Sequence, residues 1–447
     1  MEKFNLLYSK KNIPIPSKHA FLQMLVAKTE NLIRRMRWKV LEFDGKLPRV
    51  EKRTFGFRTT NYPPSSPDLE KFEADLMDLI RDIEFRPYNN DLQAKMKEDI
   101  KSIKNCGKVI VSADKSTNLY KMSKADYNTC LSNNITSTYR KTDNDHTESI
   151  DTGSLDCAED LGLADRIHRI QKSESYVSVK DHKNDFDSNP SFRLINPAKS
   201  DIGRVSKQLL DEINQELLTC IEVNQWKNTH SVIDWFKSIN NKEQCTFIQF
   251  DIENFYPSIS EELFNKAIDF AMLHVEIPDA HLKIIRQSRR TLLFHDGDPW
   301  IKTSNNNDFD VPMGSFDGAE ICELVGTFML SEITKVVKKT DIGLYRDDGL
   351  GLMRRIGKPE IERRKKKIIK IFKSYGLKII INANLLSVKY LDVEFDLRNN
   401  IFRPFRKPNS DPLYISKQSN HPPSILKQVP SSISRRLTDI FSSEQEF

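Results

Sequence analysis

Apolar positions recur at helical spacing early in the chain and later switch between helical and strand period. Residues 1 to about 60 read as helical, and "FLQMLVAKTENLIRRMRWKVLEF" carries the clearest amphipathic stripe. In "NYPPSSPDLEKF" Pro and Ser break the period, which predicts a linker ending at a helix start; that helix runs through "LEKFEADLMDLIRDIEF". "GKVIVSADKSTNLYKMSKADYNTCL" predicts strand, turn, strand, helix. "NITSTYRKTDNDHTESIDTGSLD" is polar and predicts a loop-rich stretch. "ESYVSVKDHK" and "PSFRLINP" predict two strands joined by the polar loop "NDFDSN", and "IGRVSKQLLDEINQELLTCI" predicts a helix.

The second half alternates. "QCTFIQFDI" reads as a strand, and Ser258 followed by Glu261 fits a capping box that opens the helix "EELFNKAIDFAML". "AEICELVGTFMLSEITKVV" predicts a long helix. "GLYRDDGLGL" predicts strand, tight turn and strand, with Asp347 and Asp348 at the tip, because Asp-Gly between alternating apolar residues marks a hairpin. Arg354 to Lys378 predicts an amphipathic helix with a cationic outer face. "VKYLDVEFDLRNNIFRPF" predicts a hairpin turning at Asn399 and Asn400. Strands, helices and hairpins mixed in this way predict an α+β fold whose sheet carries helices on one face.

Composition narrows the class. The 447 residues allow two or three packed subdomains, and 38% hydrophobic with 30% charged residues is the balance of a globular protein. No apolar run is long enough to span a bilayer, and the first twenty residues lack the apolar core of a secretory signal. The expected location is intracellular, in cytoplasm or nucleus. The six cysteines form no C-x-x-C pair, which argues against a zinc site and a disulfide framework. A net charge of +6 permits a polyanion partner without requiring one.

Two carboxylate clusters carry the chemistry. The predicted strand "QCTFIQFDI" carries Asp251 at its end, and Phe255 and Tyr256 follow at a short interval; the Asp347–Asp348 pair lies on a later hairpin. Two-metal nucleotidyl transfer needs carboxylates from separate strands converging on ions ~3.5–4 Å apart. Oxygen ligands of this kind suit Mg²⁺, which binds through carboxylates plus substrate phosphates.

In this order, "FDIENFYPSI", "VPMGSFDGAEICEL" and "YRDDGLGL" resemble motifs A, B and C of reverse transcriptases. The flanks resemble Penelope-like retroelements: "VSADKSTNLYKMSKADY", "VSVKDHK…FRLINPAKS" and "VKYLDVEFDL…FRKPNSDPLYISKQSNHPPSILKQVPSSISRRL" are similar to their N-terminal block, fingers motifs and tail. The resemblance runs from about Lys108 to the C-terminus. It implies a right-hand polymerase fold with fingers, an antiparallel palm sheet backed by helices, a partial thumb and a helical N-terminal extension. The divisions it suggests are 1–95 for the extension, 96–245 for the N-terminal block and fingers, 246–397 for the palm, and 398–447 for the primer-grip hairpin and start of the thumb.

The resemblance also implies roles. Asp251, Asp347 and Asp348 would hold two Mg²⁺ ions, with Mn²⁺ as an alternative. Lys180, Lys183 and Arg193 would neutralise the incoming triphosphate. Met313 and Gly314 would lie under the nascent base pair, Gly permitting close backbone approach. Tyr256 would occupy the space of a ribose 2′-OH and select deoxynucleotides, with Phe255 facing the other way. Arg435 and Arg436 would contact phosphates. The partners are an RNA template, a DNA primer and dNTPs, with no membrane. Two departures stand out. Phe316-Asp317-Gly318 replaces the usual Pro-x-Ser-Pro after the second motif. Leu385 and Leu386 stand where a lysine is expected, leaving Lys378 or Lys389 as substitutes. These departures keep two alternatives open: a catalytically decayed RNA-binding protein of the same fold, and, opposed by Tyr256, an RNA-dependent RNA polymerase.

Overall fold

The computed structural model describes residues 1–45, 53–59, 61–87, 90–167, 171–183, 185–197, 199–303, 308–354, 357–406 and 413–442. Its centre is a five-stranded sheet in the order Ile379–Leu385, Cys245–Ile252, Asp348–Arg354, Ile342–Tyr345, Asn224–Gln225. Every neighbouring pair is antiparallel except the last, which is parallel.

Side chains alternate across this sheet. Ile248, Phe250 and Ile252 enter the main core, beneath the helices Asp201–Cys220, Glu261–Met272, Asp279–Gln287, Gly318–Ile333 and Lys358–Ser374. Cys245 and Phe247, with Leu350 and Leu352, enter a second core on the opposite face. That face is covered by the helix Thr229–Ser238 and by the meander Ser387–Tyr390, Val393–Asp396, Ile401–Pro404. The sheet is therefore roofed on both sides along most of its length, and the carboxylates come at its end.

Three smaller sheets flank the centre. The hairpin Val109–Ser112 with Leu119–Met122 takes the N-terminal strand Glu2–Phe4 on its edge. Tyr176–Val179 pairs with Phe192–Ile195, and Asp298–Lys302 pairs with both Tyr139–Lys141 and Leu293–His295. The helix Pro423–Asp439 ends the described chain. Among the described residues no helix is long and apolar enough to cross a membrane.

Several expectations are corrected. The N-terminal region is helical only over Lys18–Phe43; Glu2–Phe4 is a strand. The stretch expected to be loop-rich holds a strand, Tyr139–Lys141, and a helix, Asn144–Asp160. That helix is capped by Asp143 and buries Thr147, Ile150, Ser154, Cys157 and Ala158, an inner face too small and polar to register as amphipathic. The cap of Glu261–Met272 is Ser260, which accepts from the Leu263 amide; Ser258 closes the preceding short turn Phe255–Ser258. The long helix stops at Ile333 and the basic helix spans Lys358–Ser374. Lys407 and Pro408 of the tail motif lie outside the described residues.

Candidate active site

The hairpin turn falls on Arg346 and Asp347 rather than on Asp-Gly. Tyr345 pairs with Asp348, and Arg346 takes a left-handed conformation at φ 54°. Asp348 is thus the first residue of its strand and only Asp347 occupies the tip. Gly349 serves packing instead of the turn: a Cβ there would meet the Phe250 ring at 2.1 Å.

This register brings the carboxylates together. Asp348 is the direct cross-strand partner of Asp251, and both belong to the face that carries Phe247, Leu350 and Leu352 further along. Directly opposed residues place their Cβ atoms about 4.5–5.5 Å apart. Asp347 is tied to the same end, since its carbonyl accepts from the Ile252 amide at 2.9 Å. Asp251 is exposed and the other two are half-buried. The Tyr390 hydroxyl, from the second core on the same face, donates to the Asp348 carbonyl; burial, then the Asp348 charge, holds that hydroxyl protonated.

Phe255 and Tyr256 both pack on the main core but differ in burial. Asn254, left-handed at φ 49°, turns the chain after the Asp251 strand. Phe255 is buried in the main core, whereas Tyr256 is half-buried against it. A Cβ on Gly318 would lie 3.3 Å from the Tyr256 ring, so the absence of a side chain there gives the ring its seat. Burial raises the Tyr256 hydroxyl's pKa, and Asp347 is among its charged neighbours.

The loop Met313–Gly314 is docked against Asn196. The Met313 carbonyl accepts from the Asn196 amide at 2.9 Å, and Gly314, at φ +119°, approaches the Asn196 carbonyl so closely that a Cβ would stand 2.2 Å from it. Asn196 directly follows the strand that carries Arg193. The unexpected Asp317 is fully buried and ion-paired with buried Arg289, and Ser288 donates to it at 2.8 Å. At the departure from Pro-x-Ser-Pro, Asp317 thus anchors the start of the helix Gly318–Ile333.

Lys180, Lys183 and Arg193 form one group. Burial lowers the Lys180 pKa most, followed by the charges of Arg193 and Lys183. Arg193 is held by Asp114 at 2.8 Å. Buried Asp181 accepts from Ser116, Asn118 and Tyr120 at 2.7, 2.8 and 3.0 Å, fastening the "ADKSTNLY" hairpin to the "VKDHK" strand. Asp114 and Asp181 escaped sequence reasoning because their partners lie 79 and 61–65 residues away.

Arg435 and Arg436 stand apart on the exposed terminal helix, where Arg436 pairs with Asp392 at 2.6 Å. Leu385 lies at a register shift in its strand. Lys378 sits at the carboxylate end of the sheet, its carbonyl accepting from the Glu253 amide and its ammonium 2.7 Å from the Glu253 carboxylate. The Lys389 ammonium lies 4.9 Å from the Phe405 ring centroid.

Among the described residues no group of three or more His, Cys, Asp or Glu side chains is gathered closely enough to hold a metal ion alone. The arrangement fits Mg²⁺ all the same. Mg²⁺ is commonly held by one or two carboxylates while waters and substrate phosphates complete the shell. Two like charges directly opposed across strands destabilise a sheet, and a bound cation would offset that repulsion.

No protein-family model and no curated protein matches the chain. Solved structures do. Over 85% of its length the chain superposes on the Candida albicans telomerase solved with a fragment of telomeric RNA, at 11% identity and a TM-score of 0.52. It spans 64% of that chain's length. Apo telomerase from Candida tropicalis gives a TM-score of 0.48 at 10% identity, covering 87% of this chain and 76% of the other. The RNA-dependent RNA polymerase of a human picobirnavirus gives 0.41 at 8% identity, covering 88% and 79%. The Candida albicans likeness shows the fold: mixed helix and sheet in a right-hand polymerase arrangement.

Proposed function

We propose that the chain is an RNA-directed DNA polymerase of a Penelope-like or closely related retroelement, extending a primer 3′-OH with dNTPs on an RNA template. The observation that carries the reading is the direct pairing of Asp251 with Asp348 on one sheet face, with Asp347 on the adjoining turn. The Penelope-like assignment rests on the flanking sequence blocks, two of which meet in the structure through Asp114–Arg193 and Asp181.

The three aspartates would hold a pair of Mg²⁺ ions, which when bound make the primer hydroxyl a better nucleophile and neutralise the leaving pyrophosphate. Lys180, Lys183 and Arg193 bind and orient the triphosphate, since such transfers depend on positioning and electrostatics. Asp114 fixes the Arg193 fork. Met313 and Gly314 form the floor under the new base pair. Lys378, at the carboxylate end of the sheet, is the lysine best placed to protonate pyrophosphate. Tyr256, with its ring over Gly318, excludes a 2′-hydroxyl.

Tyr256→Ala tests the deoxynucleotide preference. A ribonucleotide displaced on the order of 1 Å from in-line geometry loses ~100-fold in rate. The variant is expected to lower the dNTP/rNTP ratio of kcat/KM by that order with a modest loss on dNTPs. An unchanged ratio contradicts the role of the ring, and a wild-type preference for rNTPs makes the chain an RNA polymerase.

A further inference from the structure

Three buried or half-buried ion pairs surround the Met313–Gly314 loop: Arg289–Asp317, Arg290–Asp308 and Lys302–Asp310. The last differs from the others in what else it touches. Lys302 is 6% exposed, and its ammonium lies 3.3 Å from the Asp310 carboxylate. It also donates, at 2.5 Å, to the carbonyl of Pro257, the residue that follows Tyr256. Asp310 in turn accepts from the Tyr139 hydroxyl at 2.6 Å and from the Val311 amide at 2.8 Å, two residues before Met313. Tyr139 is the cross-strand partner of Lys302, and burial together with the Asp310 charge keeps its hydroxyl protonated as a donor.

One ammonium thus links the turn bearing Tyr256 to the loop bearing Met313 and Gly314. Desolvation offsets most of what such a pair gains in attraction, so apolar residues would fill this space at least as stably. What a buried lysine supplies and a methyl group does not is a directed bond to one carbonyl. The Phe255–Ser258 turn is a single turn following a left-handed Asn254. Phe255 anchors it in the main core and the Ser258 hydroxyl donates to the Glu253 carbonyl at 3.3 Å, while the Lys302 bond ties its Pro257 carbonyl toward the strand that leads into the loop.

We propose that Lys302 is a positioning residue for sugar selection, setting the height of the Tyr256 ring above the Met313–Gly314 loop through its bond to the Pro257 carbonyl. The proposal rests on the polymerase reading. Lys302 touches neither substrate nor reacting atoms and acts through Tyr256.

The test measures kcat/KM for dNTP and rNTP in primer extension on an RNA template. Lys302→Met leaves Asp310 charged and buried, so the charge-balanced pair Lys302→Met/Asp310→Asn is made alongside it to preserve folding. Both are expected to lower the dNTP/rNTP ratio by about tenfold, an intermediate displacement of the gate. Lys302→Arg, which keeps a donor, is expected to restore most of the ratio. In a Tyr256→Ala background the same changes are expected to produce no further fall, because residues acting through one another are not additive. A wild-type ratio in the charge-balanced variant overturns the proposal, as does an equal further fall in the Tyr256→Ala background. A wild-type chain that extends with neither nucleotide overturns the polymerase reading and this inference with it.

Discussion

The helices Gly318–Ile333 and Pro423–Asp439 differ by one residue in length and are held in opposite ways. The first buries twelve of its sixteen residues and runs between the sheet and three other helices. The second buries none within its span. Their ion pairs follow suit: Arg289–Asp317, at the start of the first, is inaccessible, whereas Arg436–Asp392 on the second leaves the arginine 70% exposed. The first helix fixes Gly318, and through it the Tyr256 ring, where an ångström matters. The second lies where the resemblance places the start of a thumb, and under the proposed function its weak anchoring would suit an element that follows a duplex.

Breaking the two ion pairs measures that contrast. Arg289→Met strands a fully buried Asp317 charge and is expected to cost about 3–5 kcal/mol in urea denaturation, the double change Arg289→Met/Asp317→Leu recovering much of it. Gly349→Ala comes next: its new Cβ meets the Phe250 ring, and overpacking of this kind costs about 1–3 kcal/mol by the same measurement. Arg436→Ala removes an exposed pair and is expected to change stability by less than about 1 kcal/mol. An Arg436 effect as large as that of Arg289 would mean that the terminal helix is docked as firmly as the palm.

The elements that proved legible in the sequence are those with a strong period. Cys245–Ile252 reads as a mostly apolar run because both sheet faces are buried along it, and Asp251 is conspicuous as the exposed polar residue near its end. The hairpin was legible but its register was not: Asp348-Gly349 imitates a turn, whereas the glycine is there for Phe250 and the left-handed residue is Arg346. Asn144–Asp160 was hidden because its inner face is built of Thr, Ser, Cys and Ala beside a single Ile. The three aspartates stood out as carboxylates at a predicted strand end and on a predicted hairpin, and Tyr256 stood out through the resemblance. Asp114, Asp181, Lys302, Asp310 and Arg289 did not, since each gains its meaning from a partner distant in sequence, and a buried charge looks in the sequence like any surface charge. Asp317 stood out only as a departure, and its compensation by Arg289 is visible only in three dimensions.

Everything proposed here depends on the paired carboxylates doing chemistry rather than capping a sheet end. The most direct measurement is single-turnover primer extension by Asp347→Asn beside its affinity for the same RNA–DNA primer–template. Loss of even an outer partner of a metal ligand costs ~10–100-fold, so loss of a ligand itself should slow extension by more than ~100-fold while affinity, which rests on phosphate contacts elsewhere, stays close to wild type. Extension at a rate near that of the wild-type chain would contradict the account.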